Sequence, residues 1–287
     1  MGLRSFFHKI KIFFEREAEP ILPYVGEEKH YGTYGEDKFV NMLCHELPCC
    51  KIKRNIVIST PEGKAEIDCL VLYENKIFAI EIKRWKGCLR ESESGFIQVK
   101  KDPWTGELHM KDHKSPFRQL NRAIYLLRKQ IPGKVWVNPI VFFENDDLEE
   151  VSVFSDHIWF ANPQKLLDYI RNEGKGSFVT ESKSFFEKCI SADCLYDNKR
   201  KRFLRCVINR ASLRFKTRQG LIPDDDIKSV RIVHHWTYDE LYVQTTDGSV
   251  YLYTHENGKI EVDDYGDVAC YALCNLDYIE LGRALNR

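Results

Sequence analysis

The sequence predicts an α/β protein: a mixed sheet flanked by helices, followed by a C-terminal α+β, mostly β, accessory domain. Three observations carry that prediction. Apolar, β-rich runs at residues 67–73, 77–83 and 135–143 are interleaved with segments of helical period at residues 36–47, Pro116–Gln130 and 162–170. Strand–helix–strand order of this kind places helices on both faces of a sheet. From Ser229 onward the period changes: Val230, Ile232, Leu241, Val243, Val250 and Leu252 alternate, as half-buried strands do.

Composition narrows the classes. The chain has 287 residues, 43% apolar and 30% charged, which describes a globular protein of about two domains. It has no run of about 18 apolar residues, so no transmembrane helix is expected. Lys plus Arg and Asp plus Glu both number 43, for a formal net charge of zero. Bulk charge therefore cannot bind nucleic acid, and any such contact must come from local patches. Repeats and low-complexity tracts are absent. No small-residue cleavage site follows the first apolar stretch, so reduced thiols and a cytoplasmic location are expected. Cys189/Cys194 and Cys270/Cys274 are too loosely spaced for a zinc motif, and zinc is not expected.

Residues 1–24 form the first segment. Leu3, Phe6, Phe7, Ile10, Phe13 and Phe14 recur at helical spacing with Arg4, Lys9, Lys11 and Arg16 beside them. This predicts a basic amphipathic helix, ended by Pro20 and Pro23. Such a helix first of all buries one face on protein; peripheral contact with an anionic membrane is the less favoured alternative.

Residues 25–175 form the second segment and carry the chemistry. Gly32 and Gly35 precede a helix with Phe39, Val40, Leu43 and Leu47 on one face, stopped by Pro48. A strand follows at residues 52–59. The next two strands flank Glu74-Asn75, a two-residue polar turn. A hairpin on that turn pairs positions summing to 149, which sets Asp68 opposite Glu81, with Lys83 on the same face. A one-residue slip would instead set Asp68 opposite Ile82.

Two carboxylates so placed repel, unless a cation neutralises them or one keeps its proton. Mg2+ or Mn2+ suits such a pair, because these ions take few carboxylates, keep several waters and accept a substrate phosphate. Lys83 would stabilise the charge that develops. The plain alternative is a surface ion pair of little energetic weight. Against it stand Leu70, Val71, Leu72, Ile77, Phe78, Ile80 and Ile82, which make these strands apolar on both faces and hence central. Charges there are costly unless used or paired.

Asp68, twelve residues, then Glu81-Ile82-Lys83 resembles the PD-(D/E)XK nuclease motif. The wider text is more specific. Gly32-Thr33-Tyr34-Gly35-Glu36, Glu66-Ile67-Asp68, Glu81-Ile82-Lys83-Arg84-Trp85-Lys86-Gly87, then Pro116 and Gln119, and the strand ending in Glu144-Asn145, together resemble the NERD (nuclease-related) domain over about residues 30–170. The resemblance implies a restriction-endonuclease-like core and metal-dependent hydrolysis of nucleic acid, with DNA the expected substrate, in prokaryotic defence or DNA processing. It implies Asp68, Glu81 and the Ile82 carbonyl as metal ligands, Glu36 as a further ligand, Lys83 as the catalytic lysine and Gln119 as a catalytic-site amide. Arg84, Trp85 and Lys86 become candidates for nucleic-acid contact. Each accessory residue also has a plain reading. Glu36 suits the positive end of a helix dipole. Gln119 can bond a neighbouring loop. Trp85 is either a packing aromatic or a base-stacking one. Gly87 supplies a turn or a close backbone approach.

Residues 96–100 and 108–110 read as short strands around a Pro103-Trp104 turn, and Gly174 to Ser177 as a linker.

Residues 176–287 form the third segment. Residues 184–209 read as helical pieces. Between 199 and 218 lie nine basic residues and no acid, including Lys199, Arg200, Lys201, Arg202 and Arg205. The cluster is a candidate phosphate-backbone surface, or a solvated face balanced by Asp224, Asp225 and Asp226. Asp247-Gly248 and Asn257-Gly258 predict hairpin turns. This segment would bind nucleic acid, a partner protein or a second copy of the chain. The alternative to an enzyme is a catalytically silent module that senses nucleic acid or a partner on the same fold.

Overall fold

The computed structural model describes residues 22, 27–144, 147–174, 180–197, 202–217, 220–235, 238–255, 258–264, 266–282 and 285–286. The expected N-terminal helix lies outside them. Among the described residues there are four α-helices, and none is long and apolar enough to cross a membrane. The contacts divide the chain into two compact units, one holding Glu27–Ser191 and the other Ala192–Arg283.

The first unit begins with helix α1 (Glu27–Glu46), then strands β1 (Lys51–Thr60), β2 (Gly63–Tyr73) and β3 (Lys76–Lys83). Strands β4 (Gly87–Glu91), β5 (Gly95–Lys101) and β6 (Leu108–Lys114) follow, then α2 (Pro116–Gln130) and β7 (Val137–Phe143). β8 (Leu148–Ser152), β9 (Trp159–Phe160), α3 (Pro163–Gly174) and α4 (Thr180–Lys188) complete it. Helix α1 starts nine residues before its predicted start at Glu36 and runs through Gly32 and Gly35. Glycine costs a helix only about 1 kcal/mol.

β3 is the middle of the main sheet. It pairs β2 antiparallel through Tyr73↔Lys76 to Cys69↔Ile80, which is the predicted register, and β7 parallel through Ile77↔Val137 to Lys83↔Phe143. Both faces are covered, as expected. Helices α1 and α3 lay Phe39, Val40, Leu43, Leu166, Leu167 and Ile170 against Phe78, Ile80 and Phe142. Helices α2 and α4 lay Leu120, Ile124, Leu127, Phe185 and Phe186 against Ile77, Ala79 and Val141. α2 has its predicted bounds because Ser115 caps it, accepting the Arg118 N–H, and Pro116 opens it.

One irregularity shapes the site. Asn55 has φ 48° and no ladder partner between Arg54↔Cys69 and Ile56↔Ile67. Across it both strands change faces: Ile52, Cys69 and Val71 join the α1/α3 layer, whereas Ile56, Ile58 and Ile67 join the α2/α4 layer. Asp68 sits at this crossover.

β4, β5, β6 and β8 form a second sheet in the order β6-β5-β4-β8. The sequence did not signal β4 or β8. Gly87 has φ 76°, and a Cβ there would lie 2.4 Å from the Val99 carbonyl oxygen, so the expected close backbone approach is present.

The unit extends past the predicted boundary at 175. α4 contributes Phe185 and Phe186 to its core, and the Lys53 Nζ donates to the carbonyls of Glu187 (2.9 Å) and Cys189 (2.6 Å). Burial pulls the Lys53 ammonium below the usual lysine value.

In the second unit the structure corrects the helical pieces expected through residue 209: β10 (Asp193–Asp197) and β11 (Arg202–Ile208) stand there instead. Phe203, Leu204, Cys206 and Ile208 are buried with Arg202, Arg205 and Val207 half-exposed between them, a strand pattern that the run of cations obscured. Then come β12 (Lys216–Thr217), β13 (Gly220–Leu221), β14 (Ile227–His234), β15 (Asp239–Thr245), β16 (Val250–His255), β17 (Lys259–Asp264), β18 (Asp267–Ala272) and β19 (Tyr278–Glu280). Eight strands form an antiparallel sheet in the order β16-β15-β14-β19-β10-β11-β17-β18. Asp247-Gly248 turns β15 into β16, as predicted, with Gly248 at φ 88°. β16 and β17 are not neighbours, so no hairpin joins them where one was predicted; the hairpin is β17–β18. Leu195, Ile208, Val230, Ile232, Val243 and Ile279 fill the core of this unit. A last short strand, β20 (Leu285–Asn286), pairs with β1.

Candidate active site

The ladder between β2 and β3 stops at Cys69↔Ile80. One step further, where Asp68 faces Glu81, a side chain replaces the backbone: Asp68 Oδ2 accepts the Ile82 N–H at 2.8 Å. In a strand the N–H and C=O of one residue point to the same side, while its neighbours bond the other way. Lys83 shows this, its carbonyl accepting the Glu144 N–H on β7 at 2.9 Å. The Ile82 carbonyl therefore points to the β2 side, where Asp68 lies.

Glu81 is fully buried. Its Oε1 takes the Lys83 Nζ at 2.5 Å, and its Oε2 has no hydrogen-bond partner among the described residues. Burial above all, then repulsion by Asp68, pushes the Glu81 carboxyl up to about 8, against the pull of Lys83. Burial draws the Lys83 ammonium down, but Glu81 and Asp68 outweigh it and hold Lys83 above the usual lysine range. The predicted triad is thus one electrostatic unit at the end of the central strand. Two further acids act on it: Glu66 on Glu81, and Glu36 on Lys83.

The donor set fits a hard divalent cation. A buried carboxylate oxygen with no donor aimed at it costs free energy, and a cation there would satisfy it. Asp68 and the Ile82 carbonyl supply further oxygens. Glu36 is buried in the middle of α1, too far from the helix start for the dipole reading, and it acts on Lys83. No group of three His, Cys, Asp or Glu side chains is gathered as a metal cage among the described residues.

The accessory residues fall differently. Gln119 is exposed in the first turns of α2, and among the described residues it bonds none of Asp68, Glu81 or Lys83. Trp85 is a packing aromatic: it stacks on His113 (centroids 4.2 Å apart) and lies against Phe96 and Phe143. Arg84 is paired with Glu144 at 2.7 Å, and Lys86 with Asp147 at 2.6 Å. Lys199, Arg200 and Lys201 lie outside the described residues. Arg202 Nη1 donates to the Leu22 carbonyl at 2.6 Å, and Arg205 lies over the Phe203 ring.

Two neighbours of the site were given no role from sequence. Glu144, which follows β7, holds both Arg84 and Lys38. Gln98 is buried on β5 and its amide donates to the Lys86 carbonyl at 2.8 Å. The signal for Gln98 was a polar residue two places from inward-facing Phe96.

A mixed α/β domain with a buried acid–acid–lysine set is the class that this fold and site define. The family model described as the nuclease-related domain, NERD, matches residues 31–144, and the chain carries a NERD domain over that span. No curated protein and no solved structure matches the chain.

Proposed function

We propose that this protein is a divalent-metal-dependent nuclease of the PD-(D/E)XK type, hydrolysing phosphodiester bonds, with DNA the expected substrate. The observation that carries the reading is the Glu81 Oε2 atom, buried beside Asp68 and Lys83 without a hydrogen-bond partner among the described residues. The NERD match supports it. Asp68, Glu81 and the Ile82 carbonyl would hold Mg2+ or Mn2+, which when bound supplies positive charge against the phosphate and lowers the pKa of water. Asp68 serves twice, since its Oδ2 also fixes the Ile82 backbone. Lys83 keeps its proton and, once Glu81 is engaged, offers its ammonium to the charge building on the phosphate. DNA processing or prokaryotic defence is the setting that suits such chemistry.

The test uses the full chain and its Asp68→Ala variant with plasmid, linear and single-stranded DNA and with RNA, in Mg2+, Mn2+ or EDTA. Cutting in the metals, none in EDTA and none by the variant is expected. Equal cutting by the variant, or no cutting of any substrate, contradicts the reading.

A further inference from the structure

We propose that the β5–β6 hairpin is an arm that grips the nucleic-acid backbone, along a cationic face running from the Lys83 end of the sheet toward the hairpin tip. The inference rests on the nucleic-acid reading above and adds the surface that holds the strand.

Strand pairing decides which side chains share a face. β5 and β6 pair Phe96↔His113, Gln98↔Lys111 and Lys100↔His109. Opposed residues point to one side and their neighbours to the other. Within the paired positions this face presents Lys100, Lys111 and His109; Asp102 and Glu107 face each other one step further on, at the turn. Asp112 pairs with Ile97 and falls on the opposite face. Asp102, in the turn, accepts the N–H groups of Trp104 (2.8 Å) and Thr105 (2.7 Å).

The cationic face begins beside the site. Gln98, opposite Lys111, is anchored on the Lys86 carbonyl, three residues past Lys83. His113 stacks on Trp85, two residues past it. Two residues along β5 from Gln98, a distance of about 7 Å, stands Lys100.

β6 is the edge of its sheet and is exposed at every position except His113, which is half-buried. Trp104, near the tip, is 92% exposed, and Leu108 and Met110 are 67% and 69% exposed on the opposite face. A bare aromatic beside a cationic face suits base stacking next to phosphate contact. The charge selects a polyanion, and the continuity with Lys83 selects the one being cut.

The test is anisotropy of fluorescein-labelled 30-mer DNA, duplex and single-stranded, titrated with the full chain in EDTA over a salt series. The Lys100→Ala/Lys111→Ala double variant is expected to lose about tenfold or more in affinity, with a salt slope shallower by about two on duplex. Trp104→Ala is expected to weaken single-strand binding by about tenfold. The thermal midpoints of the hairpin variants should match the wild type's, so that lost binding is not lost folding. Wild-type affinity and slope in the double variant overturn the arm, as does a wild type that binds neither DNA. A wild type that binds through the hairpin but cuts nothing in Mg2+ overturns the nuclease reading and leaves the arm standing. Cutting and binding untouched by the hairpin changes do the reverse.

Discussion

Glu81 occupies a position that Ile77 and Ala79, on the same face of the same strand, fill with hydrocarbon. Its carboxyl ionises near 4.5 in the unfolded chain and near 8 in the folded one. Between those values the unfolded state gives up a proton that the folded state keeps, so stability falls as pH rises through that window. Glu81→Gln removes the penalty. Its thermal midpoint should match the wild type near pH 4.5 and exceed it by on the order of 5 °C at pH 8, without metal. A melting series over pH checks this; a gain that shrinks with rising pH contradicts it. Asp68, Glu81 and Lys83 were legible because charges in strands apolar on both faces demand a reason. Gln119 was named from resemblance alone, and among the described residues it bonds none of the triad. Trp85 was left between packing and stacking, and its contacts with Phe96, Phe143 and His113 are ones that no local pattern announces.

At the scale of the element, the face change at Asn55 frees Asp68 from the ladder. Asn55 stands at φ 48°, a region that asparagine tolerates and β-branched residues do not. Asn55→Val should cost about 1–3 kcal/mol in urea unfolding, whereas Asn55→Gly should stay near the wild type. An equal cost for both would show that the side chain, not the backbone, matters there. Gly87→Ala forces a Cβ against the Val99 carbonyl and should destabilise by about 1–3 kcal/mol, seen as a lower urea midpoint. α2 and the β2–β3 register were legible to the residue, since a cap, an amphipathic face and a two-residue turn are local signals. β10 and β11 were not: the run from Lys199 to Arg218 reads as a charged face, and burial by distant partners such as Ile260 and Ile279 makes it strand. The β4–β8 pairing joins residues about 60 apart in sequence, and no local pattern announces it.

The whole molecule carries two separate sets of core. One is built on β1, β2, β3 and β7 with helices on both faces, the other on the eight-stranded sheet. Each set is large enough to unfold as its own cooperative unit. Calorimetry of the full chain should show two transitions, and an added divalent metal should raise only the one belonging to residues 27–191. A single transition, or a shift of both, would contradict that independence. The central claim, that the Asp68–Glu81–Lys83 unit cuts nucleic acid, is tested most directly by a single-turnover cleavage rate. Labelled DNA would be mixed with excess full chain or its Lys83→Ala variant at saturating Mg2+. The account predicts a rate at least about a hundredfold lower in the variant at saturating DNA. A variant that cuts within a few-fold of the wild type would contradict it.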